Sequence, residues 1–78
     1  MVEVFKTNVH GSLHAKHLVN VIQYYFEDYK VNFDLDDCDR ILRIEATKTI
    51  EVEAVILLLD NVGIEAELLS DEVPLIII

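Results

Sequence analysis

From Val2 to Val9 the chain is β-branched and aromatic with polar residues interleaved, a pattern that predicts a strand. Phe5, Thr7 and Val9 share one face of it, and Val2, Val4 and Lys6 the other; the pattern leaves open which is buried. Gly11-Ser12 breaks the strand, and the Ser12 hydroxyl is suited to cap a following helix. From Leu13 to about Tyr29 the period lengthens. His14, Leu18, Val21, Ile22 and Tyr25 gather on one side of a helical wheel, while Lys16, Asn20, Gln23 and Glu27 fall mostly elsewhere.

Two-residue alternation returns at Lys30. Val31, Phe33 and Leu35 face one way, and Asn32, Asp34 and Asp36 the other. Asp36-Asp37-Cys38-Asp39 is turn chemistry. Leu42, Ile44 and Ala46 then alternate with Ile41, Arg43 and Glu45, which predicts a β-hairpin with an acidic tip. Thr49 is the expected N-cap of a second helix, with Glu51 and Glu53 in its first turn, where the helix dipole favours negative charge. Val52, Val55, Ile56 and Leu59 line one face of that helix. Asn61-Val62-Gly63 ends it, with Gly63 at the left-handed cap position. Ile64, Ala66 and Leu68 alternate with Glu65, Glu67 and Leu69 as a last strand.

The order β-α-β-β-α-β predicts an α+β, ferredoxin-like sandwich: a four-stranded antiparallel sheet with two helices on one face. The first strand–helix junction, the hairpin tip and the loop at Gly63 are then expected at one end. A single domain spans residues 1–70, followed by an apolar C-terminal tail over 71–78.

Three regions of the chain resemble the heavy-metal-associated domain family, the small copper-chaperone-like modules. Phe5-Lys6-Thr7-Asn8-Val9 is similar to that family's first strand as it enters the metal loop. Val31-Asn32-Phe33-Asp34-Leu35 with Arg40-Ile41-Leu42-Arg43-Ile44 is similar to its central hairpin. Val62-Gly63-Ile64-Glu65-Ala66-Glu67 is similar to its closing glycine and last strand. The resemblance covers about residues 2–70 and implies the same fold. It implies no copper-chaperone activity, because the family binds metal through a Cys-x-x-Cys pair. Gly11 and His14 stand where the two cysteines would be, so the chain resembles a divergent member without the thiolate site.

Composition narrows the functional classes. Fifteen acids against six bases give a formal net charge of −9. That argues against gripping nucleic-acid phosphates, which needs a basic face, and against an anionic membrane surface. No stretch approaches the roughly 18 apolar residues that cross a bilayer, so membrane insertion is not expected. The first residues do not read as a signal peptide. One cysteine, Cys38, permits no intramolecular disulfide, which with the missing leader points to a cytoplasmic location. A hydrophobic fraction of 53% suffices for one core in a chain of 78 residues.

The candidate chemistry is concentrated at the first junction. If the helical phase extends back to His10, then His10, His14 and His17 fall on one side of the helix. Three imidazoles could hold zinc, copper or nickel. The alternative is structural: His14 packs beneath the first turn, and His10 and His17 are solvated. A helix N-terminus keeps imidazole neutral but also opposes a bound cation. Asp34, Asp36, Asp37 and Asp39 resemble a calcium loop only in composition, since Asp39 takes the place of the required glycine and the flanks are strands. Cys38, among aspartates, is expected to resist ionisation. Ser12 has His10 and His14 near it in sequence but no oriented acid, so no enzyme is expected.

Tyr24, Tyr25, Phe26 and Tyr29 cannot all point inward from one helix end, so part of that cluster is expected at the surface. Leu75-Ile76-Ile77-Ile78 equally call for a partner surface, in this chain or another. The reading is a small non-enzymatic domain for protein interaction or homo-oligomer formation, with metal binding through His10, His14 and His17 as the alternative.

Overall fold

The structure, a computed structural model, describes residues 1–36 and 38–69. Asp37 of the acidic tip, Ser70 and the apolar tail lie outside the described residues. The elements run β1 (Val2–Thr7), α1 (Ser12–Tyr25), β2 (Lys30–Asp34), β3 (Ile41–Glu45), α2 (Val52–Asn61) and β4 (Ala66–Leu69). The four strands form one sheet in the order β2-β3-β1-β4, every neighbouring pair antiparallel. This is the ferredoxin-like βαββαβ arrangement that the order of periodicities predicts.

Register follows from the alternation. Phe33, Leu42, Phe5 and Leu68 form one row across all four strands, and Val31 and Ile44 share the next. Apart from exposed Leu68 at the edge, these rows meet Leu18 and Ile22 of α1 and Val55 and Leu59 of α2 in one core. Phe5, Leu18, Ile22, Leu42, Ile44 and Leu59 are wholly buried there. Each such side chain contributes about 1.5–3 kcal/mol through removal from water. The buried face of β1 is thus that of Phe5 and Thr7. Val9 continues it as a core residue although the ladder stops at Thr7. The opposite face of the sheet pairs Lys30 with Glu45 and Lys6 with Glu67 across strands, as suits a solvated surface.

The helix ends depart from the sequence pattern in instructive ways. Ser12 does not cap α1; the N-cap is Gly11, whose carbonyl already accepts from the Ala15 N–H at 3.1 Å. The helix ends at Tyr25, not near Tyr29. The Phe26 N–H still reaches the Ile22 carbonyl at 2.8 Å, but Tyr29 N–H folds back to the Phe26 carbonyl at 3.0 Å. The buried stripe is Ala15, Leu18 and Ile22, rotated from the expected one: His14 and Val21 are half-buried and Tyr25 is exposed. The second helix starts at Val52 with Glu51 as N-cap, two residues beyond the expected Thr49, because Ile50 is drawn into the core first. Glu53 alone supplies acid to the first turn.

Gly63 behaves as its position predicts. It has φ +84°, its N–H donates to the Asp60 carbonyl at 3.0 Å, and the Ile64 N–H donates to the Leu59 carbonyl at 2.9 Å. This paired closure is a Schellman motif, completed by the burial of both Ile64 and Leu59.

Candidate functional site

The first strand–helix junction, the hairpin tip and the loop after α2 do lie at one end, and specific bonds tie them. Thr7 is the pivot, a buried polar side chain. Its N–H donates to the Asp39 carbonyl at 3.1 Å, and its hydroxyl donates to the Arg40 carbonyl at 2.6 Å. The same oxygen accepts from the Val9 N–H at 3.3 Å. Arg40 sits at φ +49°, a left-handed conformation that turns its carbonyl toward Thr7. On the other side, the Asn8 side-chain oxygen accepts from the Glu65 N–H at 3.0 Å. Thr7 and Asn8 therefore serve as struts, a role the strand pattern does not reveal because their partners are 33 and 57 residues away.

The histidines are placed differently from the wheel. Gly11 has φ +81° and ψ +159°, so the helical phase does not extend back to His10. His10 lies before the helix and is exposed, His14 is half-buried, and His17 is exposed one turn further along α1. Among the described residues no group of three or more His, Cys, Asp or Glu side chains is placed to hold a metal ion, the set His10, His14 and His17 included. The Gly11 backbone adds a second point. Its φ and ψ lie in a region essentially restricted to glycine. A side-chain ligand at position 11, where the resemblance locates the first thiol, does not fit this backbone without strain.

At the hairpin tip the Asp34 carboxylate accepts from the Asp36 N–H at 3.2 Å, an Asx turn rather than an open ligand. Asp39 stands 3.9 Å from Lys6. Cys38 is free and exposed. Ser12 is exposed at the start of α1. Among the described residues no buried side-chain polar atom lacks a hydrogen-bond partner.

The more informative surface is the outer face of the helix layer. Leu13 is 83% exposed, Tyr24 77%, Tyr25 62% and Leu57 60%. Leu13, His17, Asn20 and Tyr24 follow one another at helical spacing, and all four are exposed. Between the helices runs an open groove of about 240 Å³, lined by Tyr25, Phe26, Ala54, Leu57, Leu58 and Asn61. The aromatic cluster divides as its crowding requires. Tyr24 and Tyr25 meet edge to face at 5.0 Å on the outside. Phe26 stacks on buried Tyr29 at 4.7 Å and an interplanar angle of 6°. Leu13 and Leu57 were not evident as surface residues, yet a signal exists for the second. Val55 to Leu59 is five apolar residues in succession, which encircle a helix, so one must face out.

An open cleft of about 390 Å³ lies where the end of α1 meets the start of α2, lined by Tyr24, Tyr25, Phe26, Tyr29 and Lys48 among others. It includes the bond in which the Glu51 N–H donates to the Tyr29 hydroxyl oxygen at 2.8 Å, so that hydroxyl already serves the fold. Among the described residues no helix is long and apolar enough to cross a membrane. No protein-family model, curated protein or solved structure matches this chain.

Proposed function

We propose that the chain is a small non-catalytic interaction module that engages a protein partner through the outer face of its helix layer. It is similar to a heavy-metal-associated domain from which the thiolate pair has gone. The observation that carries this reading is exposed Tyr25 and Leu57 on one interhelical groove, with exposed Tyr24 edge to face against Tyr25. Single exposed apolar residues need no explanation, but aromatic and aliphatic side chains gathered at one groove have the composition of a recognition surface. At the loop end an open hollow of about 300 Å³ is lined by Lys6, Thr7, Asn8, Glu65, Ala66 and Glu67, and the Thr7 and Asn8 side chains there hold three loops together.

Site-specific photo-crosslinking in cells tests the reading. A benzophenone side chain at Leu57 or Tyr24 is expected to give discrete protein adducts. The same group at Asn32, on the far face of the sheet, is expected to give none. Indistinguishable labelling from the two faces, or no adduct from Leu57 and Tyr24, would sink the proposal.

A further inference from the structure

We propose that the interhelical groove receives a basic segment of a protein partner, with an arginine in the acidic cleft at its end and aliphatic side chains along the groove. The inference rests on the reading of this face as an interaction surface and names the chemistry of its occupant.

Two hollows meet there. The groove lined by Ala54, Leu57 and Leu58 and the cleft where α1 ends and α2 begins share Tyr25 and Phe26. The groove offers aliphatic and aromatic surface. The cleft differs: Glu27, Asp28 and Glu51 line it beside exposed Tyr24 and Tyr25, and Lys48 is the one base among its described lining residues. Glu27 and Asp28 are the exposed central residues of the turn that the Tyr29 N–H closes on the Phe26 carbonyl, so both carboxylates are carried at the end of α1. Among the described residues none of the three carboxylates has an ion-pair partner. The backbone adds to the same sign. No base in the last turn of α1 offsets the negative end of its dipole, while Glu51 and Glu53 offset the positive start of α2.

Charge complementarity therefore selects the occupant. A guanidinium lies flat on a tyrosine face and donates to carboxylates from its edge, which suits arginine better than lysine. An acidic segment could fill the groove but would meet unpaired carboxylates at its end, and like charges opposed in this way suppress wrong partners. Glu53 and Asp60 extend the preference along the groove, since they flank exposed Leu57 about one turn before and after it. The net charge of −9 draws such a segment in from a distance. A small free cation would leave the apolar groove empty, so the occupant is a stretch of polypeptide that carries both chemistries.

A nuclear magnetic resonance titration of the full chain with the capped peptide Arg-Ala-Leu-Leu-Ala-Arg tests this. Saturable shifts are expected at Tyr24, Tyr25, Glu27 and Leu57, with a Kd of about 0.1–3 mM, because exposed ion pairs and cation–π contacts are individually weak. Raising NaCl from about 20 to about 300 mM should weaken binding about threefold or more. The peptide with glutamate in place of both arginines should give no saturable shift. Glu27→Gln combined with Asp28→Asn should weaken binding about threefold or more, and Lys48→Glu should tighten it by a similar factor, a gain that damage to the fold would not imitate. Circular dichroism checks that the variants are folded. No saturable shift up to about 10 mM peptide overturns the inference, as does equal binding of the glutamate peptide or indifference to both charge variants. Shifts of the same residues as the peptide-free chain is concentrated would place a second copy there and overturn it too. In each of these cases, discrete protein adducts from Leu57 or Tyr24 in the crosslinking experiment leave the interaction reading standing with a different occupant. Their absence removes both.

Discussion

Two glycines do different work, and substitution separates them. Gly63 lies in the left-handed helical region at φ +84°, which asparagine also tolerates. Gly11, at φ +81° and ψ +159°, lies where no L side chain is comfortable. A Cβ at either position meets no atom within 4 Å, so any loss comes from the backbone and not from crowding. Gly63→Ala is expected to cost about 1–2 kcal/mol and Gly63→Asn clearly less. Gly11→Ala should cost about 1–3 kcal/mol, and Gly11→Asn should recover little of it. Urea unfolding midpoints of the four variants decide the matter; a cost-free Gly11→Ala would show that the junction can re-route. The two were not equally legible. A glycine after a helical run announces a cap, whereas Gly11 looked like a simple strand break beside a capping serine.

At the scale of elements, the sheet was almost fully readable and the helix ends were not. The hairpin alternation of Val31 and Phe33 against Ile44 and Leu42 survives as paired rows, while Leu35 falls in the turn, because a strand's facing follows from a period of two. Helix ends depend on competing local bonds. Tyr29 lies beyond α1, and it ties the turn there to the next helix. Its carbonyl accepts from the Gln23 side-chain amide at 3.1 Å, while its hydroxyl receives the Glu51 N–H at the start of α2. Since α2 has no side-chain cap, this bond substitutes for one. Tyr29→Phe should destabilise the fold by about 0.5–1.5 kcal/mol. It should also speed amide hydrogen exchange at Glu51 well beyond the change at Leu42 and Ile44. Uniform acceleration at all three amides would mean that the hydroxyl has no local role.

For the whole molecule, charge is the dominant feature. The net −9 makes compaction work against self-repulsion. The Lys6–Asp39 pair, at 3.9 Å and about half exposed, gives little in return. Raising NaCl from about 20 to about 300 mM should therefore move the urea midpoint upward. A downward shift would show that attractive pairs outweigh the repulsion.

The sequence by itself determined the element order, the antiparallel sheet and the alternating sets of each strand, though not which face of β1 is buried, because these follow from short-range periodicity and from turns a few residues long. It also located Gly63 and the excess of aromatic rings at the end of α1. The tertiary structure alone decided the rotation of α1, which buries Ala15 and leaves Tyr25 outside. It decided which residue of the Val55–Leu59 run faces solvent. It decided too that His10, His14 and His17 do not converge. Each of these depends on how a helix is seated on a sheet whose strands come from distant parts of the chain, and on one glycine whose dihedral angles no periodicity records.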